Sequence, residues 1–126
     1  MTTKIFERLI NLEKNGFKIE FAGSLGYKIT TPHIVQNTNL VIYTDGDTYF
    51  TEHGKTYFNC ARIKDTDIIQ KVVDEFCGAN FNNTGGRALT MKVDDKLGIP
   101  FDIALHSFIQ MILEVYCINQ YFKGDK

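Results

Sequence analysis

Residues 40–51 read Leu40-Val41-Ile42-Tyr43-Thr44-Asp45-Gly46-Asp47-Thr48-Tyr49-Phe50-Thr51, two β-branched and aromatic runs on either side of Asp-Gly. Asp-Gly suits a two-residue type I′ turn, because both central positions of that turn need positive φ. In that register Ile42 opposes Tyr49 and Val41 opposes Phe50, so both faces of the hairpin carry apolar groups. A strand pair apolar on both faces belongs in the middle of a sheet or is covered on both sides. An antiparallel sheet therefore sets the fold class.

Upstream, residues Thr3 to Asn15 place Ile5, Phe6, Leu9, Ile10 and Leu12 at helical spacing, with Lys4, Glu7, Arg8 and Lys14 largely elsewhere. That is one apolar stripe on a helix, and Gly16 follows as a left-handed cap. From Phe17 the period becomes two: Phe17, Ile19 and Phe21 alternate with Lys18 and Glu20. After Gly23-Ser24-Leu25-Gly26 the alternation resumes through Tyr27 and Ile29, which reads as a hairpin with Phe17, Ile19, Phe21, Tyr27 and Ile29 in the core. Pro32 and the polar stretch Gln36 to Asn39 interrupt the pattern.

Downstream, Glu52-His53-Gly54 reads as a turn and Lys55-Thr56-Tyr57-Phe58 as a further short strand. Asp65, Thr66 and Asp67 start a helix carrying Ile68, Ile69, Val72, Val73, Phe76 and Cys77, closed by Gly78. Ala79 to Arg87 is rich in Asn and Gly and reads as a connection; Ala88 to Val93 reads as a strand. Pro100 opens the last helix, where 15 of the 22 residues from Phe101 to Phe122 are apolar and only Asp102 and Glu114 are charged. Its longest apolar run is Val115 to Ile118, short of the about 18 residues of a membrane span. A helix apolar around most of its circumference needs cover on more than one side, from its own domain or from a second copy. The expected fold is a single α+β domain over residues 1–126. It has an N-terminal helix, a mainly antiparallel four- to five-stranded sheet, a middle helix and a long apolar C-terminal helix, with helices on one main face.

Composition narrows the function. The chain has 126 residues, 44% hydrophobic and 23% charged, which fits one folded domain and no disordered tail. Fourteen Lys plus Arg against 15 Asp plus Glu give a net charge of -1. That balance argues against a strong non-specific nucleic-acid binder and equally against an acidic DNA mimic. No apolar run follows Lys4, Glu7 and Arg8 that would form a signal-peptide core, so a cytoplasmic chain is expected. Cys60, Cys77 and Cys117 form no Cys-x-x-Cys pair, and free, mostly buried thiols are expected, with no metal and no cofactor.

Four groups of residues bear chemistry. Asp45, Asp47, Glu52 and His53 have the donor types for a hard cation, the basis of a metal-dependent hydrolase as one alternative function. They sit in two turns at opposite ends of one strand, which at about 3.3 Å per residue separates them. Cys60 or Cys117 can be written with His33, His53 or His106 as a nucleophile pair, but no local signature accompanies them, and His106 is expected to be partly buried and hydrogen-bonded. The loop Asn82 to Arg87 has the glycines and guanidinium of an anion site without a phosphate-loop pattern, and Asp94-Asp95 read as turn or cap groups. Lys55, Tyr57, Phe58, Arg62 and Lys64 combine bases and aromatic rings without an acid, the make-up of a single-stranded nucleic-acid surface.

The order of elements over residues 27 to 118 resembles the prokaryotic and phage family known as domain of unknown function 1828. The residues that carry the likeness are Thr31-Pro32, the strand Leu40 to Thr44, the turn Thr51-Glu52-His53-Gly54 and the helix Phe101 to Ile118. Glu52-His53 stand where the family pattern has two Asp. The resemblance implies a small protein of bacterial, phage or mobile-element context and assigns no site residue. With no catalytic constellation standing out, the leading expectation is a non-enzymatic protein-interaction module, an inhibitor or regulator of a host protein. A homodimer through Phe108, Met111, Ile112 and Val115 is its concrete form. Single-stranded nucleic-acid binding is the alternative, and no membrane partner is expected.

Overall fold

The computed structural model describes residues 3–60, 63, 65–82 and 86–121. The N-terminal apolar stripe becomes α1 (Thr3–Lys14) and is buried through Leu9 and Leu12. Six strands follow in one sheet: β1 (Lys18–Phe21), β2 (Tyr27–Val35), β3 (Thr38–Thr44), β4 (Tyr49–Thr51), β5 (Ala79–Phe81) and β6 (Leu89–Lys92). Their order is β1-β2-β3-β4-β6-β5, and every neighbouring pair is antiparallel. Between β4 and β5 the chain forms α2 (Lys55–Asn59) and α3 (Thr66–Asp74), and α4 (Phe101–Tyr121) closes it. The α+β architecture is as expected, with six strands where four or five were expected: Lys55 to Phe58, read as strand, is helical, while Ala79 to Phe81, read as loop, pairs with β6 along the sheet edge.

The hairpin that sets the fold class stands mid-sheet, but in a different register. Thr44 opposes Phe50 and Tyr43 opposes Thr51, so the connection is Asp45 to Thr48 and no two-residue turn forms. Side chains stabilise this longer loop. Asp45 Oδ1 accepts from the backbone N–H of Asp47 at 2.9 Å and of Thr48 at 2.7 Å. The Thr44 hydroxyl accepts from Gly46 N–H and donates to the Tyr49 carbonyl. The consequence is a clean division of faces: Ile42 and Phe50 both point to the helix side and are fully buried. Val41, Tyr43 and Tyr49 stand half-buried on the other.

The type I′ geometry occurs one hairpin earlier, at Gln36-Asn37, with φ of 49° and 69°. Pro32 does not end β2; the pairing with β3 lapses between Thr30 and Ile34 and then resumes. Proline has no N–H for the ladder, and the Thr31 carbonyl takes the Asn39 amide side chain at 2.8 Å instead. Phe17 and Ile29 are core residues and Ile19 and Tyr27 are half-buried, whereas Phe21, at the exposed end of β1, is 76% exposed.

The central helix α4 packs on the sheet through Phe50, whose ring lies 4.9 Å from Phe101 and 6.3 Å from Phe108. Arg8 of α1 places its guanidinium 4.6 Å from the centre of the Phe101 ring and donates to the Gly46 carbonyl, which ties α1 to the β3–β4 loop. By length and composition α4 is apolar enough to cross a membrane, with a mean hydropathy of 1.4 over eighteen residues, so the short-run reading understates it. Here its apolar face, Phe101, Ala104, Leu105, Phe108, Ile109, Met111, Ile112 and Val115, is buried in the chain's own core. The opposite side shows Asp102, His106, Gln110 and Gln120. His106 is thus exposed, not half-buried as its apolar neighbours imply.

Candidate functional site

A single buried carboxylate shapes the surface beside β4. Glu52 follows the last residue of that strand and is fully buried. Its Oε1 accepts from Gly54 N–H at 2.9 Å and from Leu89 N–H at 2.8 Å, and its Oε2 from Thr56 N–H at 2.7 Å. Three charge-assisted hydrogen bonds replace the water that a buried carboxylate loses. Two of them satisfy N–H groups at the start of α2, so the segment expected to be a strand becomes a helical turn instead. Gly54 makes the corner at φ 79°, and a Cβ there would sit 2.4 Å from the Gly86 carbonyl oxygen. His53 precedes it in the left-handed region, its ring edge-on to Tyr43 with centroids 4.5 Å apart.

The helical turn presents Lys55 and Phe58 outward, Phe58 with 81% of its surface exposed. Tyr57 turns the other way, half-buried against Phe81, and the Arg87 guanidinium lies 4.9 Å from the centre of its ring. Together with His53 these residues line a shallow depression of about 410 Å³ that holds no carboxylate among the described residues. A second, more enclosed cavity of about 310 Å³ lies between α2 and the part of β3 that β4 does not reach. Its lining includes Lys28, Leu40, Val41, Tyr43, Glu52, Thr56, Asn59 and Tyr116. There the Tyr116 hydroxyl accepts from the Asn59 side-chain amide at 3.0 Å. Burial raises the Tyr116 pKa, opposed by the Asn59 amide and the neighbouring Thr56 hydroxyl and reinforced by Cys60 and Glu52, so the phenol stays protonated.

The structure sorts the expected site residues. Lys55, Tyr57 and Phe58 do share one short element, and Arg62 and Lys64 lie outside the described residues. Phe108, Met111, Ile112 and Val115 are each fully buried within the chain, so they form its core and offer no surface to a second copy. One side of α4 is covered by the sheet and its flank by α2 and α3, which supplies the cover that a dimer was expected to give.

Asp45, Asp47 and His53 are not brought together. The Asp45 carboxylate is engaged by the loop N–H groups, and Asp47 is exposed, 3.6 Å from Arg8 and 3.9 Å from Lys4. Among the described residues no three of His, Cys, Asp and Glu gather as a metal-ligand set. Cys60 is buried, and burial, with Glu52 nearby, pushes its thiol up to about 12, the reverse of an activated nucleophile. Cys77 and Cys117 are exposed, against the expectation of mostly buried thiols. Asp94 caps a short turn by accepting from Lys96 N–H, as read.

Reading along the chain missed that Arg87 joins Tyr57 and Phe58. The two stretches are thirty residues apart, and the β4–β6 pairing, with the Thr51 and Glu52 side chains bonded to Leu89, brings them together. An acid three residues before the first helical residue, as Glu52 is to Lys55, with Gly54 between, was the one signal available for α2. Comparison with protein-family profiles, curated proteins and solved structures finds no match to this chain.

Proposed function

We propose that the chain is a non-enzymatic protein-interaction module of phage, prophage or mobile-element origin, acting on a host protein through the α2 surface centred on Phe58. The observation that supports this reading is a phenylalanine with 81% of its surface exposed, in a depression lined by His53, Lys55 and Arg87 with no carboxylate among the described residues. Exposing a large aromatic ring to water is unfavourable by roughly 1.5–3 kcal/mol relative to burying it, and aromatic side chains and Arg are enriched at protein interfaces. The cationic surround suits an acidic rim on the partner and sets orientation and association rate. The origin rests on the family resemblance of residues 27 to 118.

Photo-crosslinking from p-benzoylphenylalanine placed at Phe58, in extract of the native host, tests this. A discrete protein adduct that R87E and K55E weaken is expected. No adduct at Phe58, with an adduct from Ile103 on α4 instead, overturns it.

A second reading, single-stranded nucleic-acid binding, draws on the Arg87 guanidinium stacked over Tyr57 beside Lys55. It predicts retention of a labelled single strand at low salt, lost steeply as salt rises.

A further inference from the structure

The geometry points to the cavity between β3 and α2 as a binding site for a small organic anion, a compact apolar or aromatic body with one carboxylate and a hydroxyl at its far end. The cavity holds about 310 Å³, at the lower end of ligand pockets. Its apolar wall comes from Leu40 and Val41, where β3 runs on past the last residue that β4 pairs.

Charge sets the class of ligand. Lys28 from β2 and Lys55 from α2 both line the cavity, and neither makes an ion pair among the described residues. Glu20 stands opposite Lys28 across the β1–β2 pair without closing one. Glu52, the acid in the lining, has its carboxylate turned to three backbone N–H groups and is already satisfied. The two ammonium groups therefore favour an anion beside them, while the charge of Glu52, which reaches Tyr116, favours a neutral group at that end.

The deep end sets the second feature. Thr56 is 1% exposed, and its hydroxyl stands beside that of Tyr116 without closing a hydrogen bond of good distance and angle, a state that buried hydroxyls rarely keep. Tyr116 lines the same cavity with its hydroxyl occupied on one side by Asn59. A ligand hydroxyl entering here completes the hydrogen bonding of Thr56.

Titration of the 15N-labelled protein with 4-hydroxyphenylacetate, followed by amide shifts, tests the site. Saturable shifts at Leu40, Val41, Thr56 and Asn59 are expected. Binding of the uncharged 4-hydroxyphenylacetamide and of phenylacetate is expected to be weaker, each by roughly tenfold. K28M weakens the acid and leaves the amide unchanged, and the isosteric T56V weakens the hydroxylated acid alone. Both ligand comparisons use the unaltered protein, so they stand even where a variant folds poorly. Absence of saturable shifts at millimolar ligand, or equal binding of acid and amide, overturns the assignment. Neither result bears on the Phe58 surface.

Discussion

The carboxylate of Glu52 accepts the backbone N–H of Leu89 at 2.8 Å, across 37 positions of sequence. This contact fastens the end of β4 to the start of β6, and the same carboxylate starts α2. One buried acid therefore positions the Phe58 surface and one wall of the enclosed cavity.

Replacing that acid strands three N–H groups. E52A is expected to cost about 3–5 kcal/mol, the range for breaking a buried charged hydrogen-bond set. E52Q, which keeps the shape and turns an NH2 toward a donor, is expected to cost somewhat less. Urea unfolding followed by circular dichroism reads both, and a loss below about 1 kcal/mol for E52A would contradict this role.

Acid stability should depend on Asp45. Burial disfavours its ionised form, but hydrogen bonds from Thr48, Asp47 and Tyr49 outweigh this, so the carboxyl titrates below its ordinary 3.8 in the folded chain. A depressed folded pKa contributes stability that is present above the unfolded value and lost as pH falls through the folded one. The stability of D45N should therefore fall less than wild type between about pH 4 and pH 2. Parallel acid limbs for the two proteins would remove the loop's dependence on this charge.

Two phenylalanines separate core from surface. Phe108 is fully buried and Phe58 is not, so F108A is expected to cost about 3–5 kcal/mol and F58A to stay within about 0.5 kcal/mol. Chemical denaturation measures both. A large loss for F58A would mean that the ring supports the fold and is not free for a partner.

The thiols should react unequally. At pH 8, Cys77 and Cys117 are exposed and react promptly with a disulfide reagent, while Cys60 is buried and held as the thiol up to about 12. Two fast equivalents and a third on unfolding are expected. The raised pKa also means that stability falls as pH rises from 9.0 toward 12, because the unfolded thiol ionises first. Three equal rates would contradict the burial of Cys60.

The helices α1, α3 and α4 and the strands around Ile19, Ile29 and Ile42 were legible because their signals are local. Apolar spacing, caps at Asp65 and Gly16, and alternation around Ile19 and Ile29 all act within a few residues. The Phe50 register was not legible, since the Asp-Gly pair favours one turn while Thr44, Asp45 and the packing of Ile5 against Gly46 stabilise another. Helix α2 was read as a strand because its determinant is the carboxylate of Glu52, whose burial depends on β6.

By itself, then, the order of residues determined the α+β class, the placement of the central hairpin mid-sheet and the apolar character of α4. Only the tertiary structure decided what the apolar residues of α4 face. Helical spacing shows how many sides need cover, and three-dimensional packing alone shows that the chain's own sheet and helices supply it for Phe108, Met111, Ile112 and Val115. The same packing left Phe58 outside and brought Arg87 beside Tyr57. Periodicity acts over a turn of helix or a pair of strand residues, whereas a surface is assembled from segments that meet only when the core has closed.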